Sequence, residues 1–111
     1  GDLTDYGTAE EAEVLVRELS VVRVPMLAVL GNHDHESGTP ELVERALTAA
    51  GVRMLDGVAC EVHGVGFAGV KGFCGGFGRA TLGAWGERGV KAFVQEALDE
   101  AAKGRTAIAI A

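Results

Sequence analysis

Five consecutive apolar residues, Met26-Leu-Ala-Val-Leu30, stand between Pro25 and the polar turn Gly31-Asn-His-Asp34. A run so short and uninterrupted suits a strand covered on both faces, as in a sheet flanked by helices. The flanking segments agree. Thr8-Ala-Glu-Glu11 has the form of a capping box, with Thr8 as N-cap and Glu11 reaching back. Ala12, Leu15, Val16 and Leu19 follow at helical spacing, which predicts an amphipathic helix over 9–20. Thr39-Pro40 reads as N-cap and first-turn proline of a second helix, running to about Ala50 and stopped by Gly51.

Beyond Gly51 the pattern turns to strands. Val52–Leu55 is expected to be one, and Asp56-Gly57 is a hairpin signal. Val58–Val62 and Val65–Val70 are expected to pair around His63-Gly64. Lys71–Gly86 is glycine-rich and reads as loop. Residues 87–103 read as a helix with Val90, Phe93, Val94, Ala97, Leu98 and Ala101 on one face, stopped by Gly104. Thr106–Ala111 is an apolar run expected to be a buried strand. Interleaved helices and strands with inserted hairpins define an α/β class with a mixed sheet.

The chain has 111 residues, enough for one domain. It opens on Gly1 with no strand ahead of the Gly-Asp turn and ends inside the expected strand, so it is read as an interior fragment of a larger domain. A net charge of −6 argues against tracking a nucleic-acid backbone. A phosphorylated substrate stays open, because bound metal ions can reverse the local field. No apolar run approaches the roughly 18 residues of a membrane span, and no membrane partner or signal peptide is expected. Two cysteines without zinc spacing point to a reducing compartment, hence the cytoplasm.

Two segments carry chemistry: Gly1-Asp2-Leu3-Thr4-Asp5 and Gly31-Asn32-His33-Asp34. Each is expected at the C-terminal end of a buried strand, the edge where open α/β sheets bind ligands. Asp2 offers an anionic oxygen and Asn32 a neutral one, a donor pair suited to Mn, Fe or Zn. His33 can exchange a proton near neutral pH, and Asp34 beside it is expected to orient the imidazole.

The two segments resemble the calcineurin-like metallophosphoesterase superfamily. Gly1–Asp5 matches its Gly-Asp-x-x-[Asp/Gly] block and Gly31–Asp34 its Gly-Asn-His-[Asp/Glu] block, with one helix and one strand between them. Gly69-Val-Lys-Gly72 and the glycines after it resemble the loop following the fourth strand in bacterial members. The resemblance implies a four-layer α/β/β/α sandwich with mixed sheets, of which residues 1–111 form the central part of a single domain, incomplete at both ends. It implies two divalent metal ions, Mn, Fe or Zn, roughly 3.5–4 Å apart, which activate a hydroxide and clamp phosphate. Asp2 would bridge the metals and Asn32 bind the second. His33 would act as general acid or transition-state stabiliser, with Asp34 as its partner.

The family's Asp-x-His, lone His and Gly-His-x-His blocks fall outside the chain. The fragment alone is therefore expected to bind metal weakly and to lack useful turnover. The expected activity of the parent is metal-dependent phosphoester hydrolysis, on a phosphodiester in preference. The substrate class is a small phosphorylated molecule such as a nucleotide. Phosphoprotein phosphatase and nucleotide pyrophosphatase activity are the alternatives within the family. A non-catalytic protein-binding scaffold of the same fold is the alternative outside enzymes.

The remaining candidates have plainer readings. Asp5 is expected to be structural, as a turn or helix-capping side chain, and His35 a solvated loop histidine. His63 is read as a turn residue, since histidine tolerates positive φ. Cys60 is expected to be packed and Cys74 exposed, neither as a ligand. Gly64-Val-Gly66-Phe-Ala-Gly69 has the glycine spacing of a dinucleotide fingerprint but lacks the helix that the fingerprint must open. Lys71 and Arg79 are open between phosphate contact and solvation. Trp85 and Phe93 are read as core.

Overall fold

The capping box sets the first helix. In the computed structural model, which describes residues 1–111, α1 spans Ala9–Leu19. Thr8 Oγ1 accepts the Glu11 N–H at 3.2 Å, and Glu11 Oε1 accepts the Thr8 N–H at 3.2 Å. α2 spans Pro40–Ala49, with proline where its missing N–H has no helical partner to lose. Thr39 makes no capping bond there; its hydroxyl lies 2.9 Å from Ser37 Oγ instead. Gly51, at φ +88°, ends α2. The Gly51 and Val52 N–H groups return to the Thr48 and Leu47 carbonyls at 3.0 Å each, the paired bonds of a Schellman stop.

β1 (Leu27–Ala28) and β2 (Arg53–Met54) pair in parallel, with α2 as the crossover. Met26, Ala28 and Leu30 alternate onto the core formed by Ala12, Val43, Leu47 and Val52 from α1, α2 and the residue before β2. The expectation of a strand covered on both faces is corrected: Met26–Leu30 is half-buried throughout. One edge of β1 pairs with β2, one face packs on helices and Val29 on the other face meets Gly69, so the covering is partial.

The Asp56-Gly57 hairpin is also corrected. β2 is taken by β1, and Gly57 (φ +72°) redirects the chain into a second sheet. There β3 (Val58–Val62) pairs antiparallel with β4 (Val65–Gly69). Their turn uses His63 at φ +52° and Gly64 at φ +80°, the two positive dihedrals of a two-residue hairpin loop. The sheets meet at Gly69. A Cβ there would lie 2.5 Å from Leu55 Cβ and 2.8 Å from Val29 Cγ1, so only glycine fits.

Residues 71–86 are loop apart from a 3₁₀ turn at Gly78–Ala80. α3 then spans Arg88–Ile110 and lies against β3 and β4. Two expectations fail here. Gly104 does not stop the helix but continues it, 3.4 Å from Val70 Cγ1 if given a Cβ. Thr106–Ala111 is not a buried strand: Ala107 is buried, whereas Ile108 and Ile110 are 70% and 66% exposed on the last helical turn. The segment joins neither sheet, although its end lies beside Gly66 of β4, and a helix satisfies its own backbone groups without a strand partner. Trp85 and Phe93, both expected in the core, are 86% and 38% exposed; Phe93 packs edge-to-face on Phe73 with centroids 5.2 Å apart.

Helices with one parallel and one antiparallel sheet give a mixed α/β architecture. The core is thin, with 12 of 111 residues buried and an accessible surface of 7543 Å². A compact monomer of this mass exposes about 5,800 Å². No helix is long and apolar enough to cross a membrane.

Candidate functional site

The two glycine-led segments, thirty residues apart in the chain, come together over one buried carboxylate. Asp34 is fully buried. Its Oδ1 accepts the Thr4 N–H at 2.7 Å and the Thr4 hydroxyl at 2.6 Å. Its Oδ2 accepts the Gly31 N–H at 2.7 Å and the Leu3 N–H at 3.1 Å. Burial alone would push this carboxyl up. The Gly31 N–H, the Thr4 hydroxyl and the Leu3 and Thr4 N–H groups outweigh burial and hold it below its ordinary value. Asp34 is thus an ionised staple between the segments.

Neighbouring contacts extend the staple. Thr4 Oγ1 accepts the Gly7 N–H at 3.1 Å, and Ser37 Oγ donates to the Gly7 carbonyl at 2.6 Å. A Cβ on Gly7 would lie 2.5 Å from the Asp34 carbonyl oxygen. Glu11, besides capping α1, accepts the Asp5 N–H at 2.8 Å and the Tyr6 N–H at 3.0 Å. Desolvation opposes the Glu11 charge. The Asp5, Thr8 and Tyr6 N–H groups and the Thr8 hydroxyl overcome it and hold the carboxyl low.

Asp34 is accordingly not the partner of the His33 imidazole. Adjacent residues on one 3₁₀ turn do not face each other, and every Asp34 bond runs inward to backbone or Thr4. Asp5 takes that place, with its Oδ1 3.3 Å from His33 Nδ1. Asp5 was assigned a purely structural part from sequence; no local spacing announces a pairing made across two loops. The Asp5 hydrogen bond, with the Asp2 charge behind it, raises the His33 pKa above its ordinary value of 6.5. The ring is biased toward the protonated, donating form.

Asp2 is held at φ +54°, a left-handed conformation that aspartate tolerates better than most residues. Its Oδ1 accepts the His33 N–H at 3.1 Å. Gly31 passes so close to Asp2 that a Cβ would collide with the Asp2 carboxylate and amide nitrogen. Asp2 therefore sits on a ridge. On one side, Asp2 and Asn32 border a cleft of ≈ 640 Å³ whose far wall is Lys71–Cys74. On the other, Asp2 and His33 border a shallow groove with Asp5, Glu11 and Glu18. The structure thus brings Asp2 to both faces, puts Asn32 on one and His33 on the other, and sets Asp34 beneath.

As metal donors, Asp2 and Asn32 supply hard oxygens to one cleft, which fits a divalent cation in kind. No group of three or more His, Cys, Asp or Glu side chains converges anywhere in the chain, so these residues could form part of a coordination sphere and not all of one. Cys74 borders the same cleft and is exposed, a position that its isolated place in the sequence does not signal. Lys71 is half-buried on the cleft wall, whereas Arg79 lies exposed in the 3₁₀ turn and does not border it. His35 borders a neighbouring cavity. Gly64 lies in the hairpin turn and Gly66 and Gly69 in β4, with no helix following, which removes the dinucleotide reading.

No protein-family model matches the chain, and no curated protein or solved structure is significantly similar to it.

Proposed function

We propose that the chain is the central part of a metal-dependent phosphoester hydrolase domain, a four-layer α/β/β/α sandwich built around the two glycine-led loops. Within that class we favour a phosphodiesterase acting on a small phosphorylated substrate. One observation carries the reading: the Gly1–Asp5 and Gly31–Asp34 segments meet through the Asp34 staple and the Asp2–His33 contact. The surface in excess of a compact monomer supports further layers around this part. Two free thiols support a reducing, cytoplasmic setting.

Asp2 and Asn32 are the residues that would hold divalent ions, two in the complete domain. Bound ions of this kind lower the pKa of water and neutralise phosphoryl charge. His33, whose ring Asp5 biases toward the protonated form, would give its proton to a leaving oxygen that lies over Asp2 toward the groove. Asp34 orders both loops without touching substrate.

The test is Mn-dependent hydrolysis of bis(p-nitrophenyl) phosphate by the parent polypeptide. His33→Ala is expected to lower kcat by about 10²–10⁴-fold with metal content unchanged. Asp2→Ala is expected to lose both metal and activity. A parent that binds two Mn ions and hydrolyses neither diester nor monoester would sink the proposal and leave the protein-binding scaffold.

A further inference from the structure

We propose that Lys71 binds an anionic, non-bridging oxygen of the substrate phosphoryl group in the Asp2–Asn32 cleft. The inference rests on the phosphoester reading and names the residue that holds the substrate opposite the metal donors. Three observations carry it.

Lys71 is the one cationic side chain among the residues that border this cleft, and Asp2 is the one anionic side chain. A phosphoryl group brought to Asp2 and Asn32 needs positive charge on the far wall, in a chain whose net charge is −6. Arg79, the other candidate in the same loop, does not border the cleft.

The ammonium is also placed. It donates to the Gly72 carbonyl and lies 5.4 Å from the centroid of the Phe73 ring. Of its three donors one is used, and two remain for a ligand. An ammonium with free donors binds phosphate as a point charge.

The backbone beneath it is anchored. The Gly72 N–H donates to Glu100 Oε2 at 2.9 Å, and Glu100 is buried in α3. Lys103 Nζ donates to Glu100 Oε1 at 2.6 Å and to Asp56 Oδ1 at 2.9 Å. The root of the glycine-rich loop is thereby tied to α3 and to the connection between the sheets. Lys71 therefore projects from the anchored root of the loop.

The experiment measures binding of inorganic phosphate to the parent polypeptide by calorimetry, metal-free and Mn-loaded, beside hydrolysis of bis(p-nitrophenyl) phosphate. Lys71→Met is expected to weaken phosphate binding about tenfold to a hundredfold, the range of one charged hydrogen bond. KM is expected to rise by a similar factor with a smaller change in kcat. Lys71→Arg is expected to recover most of the binding, and Arg79→Ala to change neither quantity. Circular dichroism of each variant separates loss of contact from loss of fold.

Unchanged phosphate affinity and KM in a folded Lys71→Met, with Mn-dependent hydrolysis intact, would overturn the role of Lys71 and leave the hydrolase reading standing. Lys71-dependent phosphate binding with no hydrolysis by any phosphoester would keep the anion site and overturn the hydrolase reading. Absence of both phosphate binding and hydrolysis in the unmodified protein would overturn both.

Discussion

At the scale of the residue, the site separates roles that the sequence runs together. His33 and Asp34 are neighbours in the chain, yet one faces the groove and the other lies buried beneath both loops. The Asp5 carboxylate 3.3 Å from Nδ1, with the Asp2 charge behind it, raises the His33 pKa. In the metal-free chain, the His33 ring is expected to titrate above 6.5 by NMR, and Asp5→Asn to bring it down. Because the folded value is raised, the pair supports folding fully below the unfolded value, and that support fades as pH rises through the folded value. A His33 that titrates at or below the ordinary value, or is indifferent to Asp5→Asn, would show that the contact is not formed in solution. The types and positions of Asp2, Asn32, His33 and Asp34 were legible in sequence. Which side chain touches which was not, because the pairings cross between loops thirty residues apart.

At the scale of the element, legibility followed how local the forces are. The capping box and the glycine stop of α2 act within a few residues, and both helices form where the pattern puts them. His63-Gly64 likewise carries its own turn. The end of α3 does not obey local reading. Thr106-Ala-Ile-Ala-Ile-Ala111 fits a strand by its β-branched alternation, but a strand needs a paired edge, and the segment joins neither sheet here. Asp56-Gly57 failed for a related reason: the partner of β2 was already fixed by the crossover through α2. Since Glu11 of the α1 cap also holds the Asp5–Tyr6 backbone, its removal should be felt beyond the helix. Thr8→Ala is expected to cost about 1 kcal/mol in urea unfolding, with faster amide exchange at Asp5 and Tyr6, whose N–H groups Glu11 accepts. An unchanged unfolding midpoint would mean that the cap is dispensable.

At the scale of the molecule, a thin core coexists with large exposed apolar side chains. Val21, Val24, Phe77, Trp85, Ile108 and Ile110 all stand in solvent. Helices and sheets of this kind need covering layers, and the two-residue ladder of β1 and β2 leaves strand edges free. Residues 1–111 alone are therefore expected to bind the dye ANS, and the same residues within the larger domain proposed above to bind much less. Equal dye binding by the two would mean that these faces stay open in the parent. The class of fold was readable from the interleaved pattern; the extent of covering was not, because burial is decided by everything that packs around a segment.

The Asp34 staple has one more implication. Its carboxyl is held below the ordinary value of 3.8, so the contribution it makes is present above that value and fades only as pH falls through the lowered one. His33 changes charge far above that window. A proton can therefore come and go at the imidazole while the chassis beneath keeps its dimensions, and the ring titrates on a frame that does not.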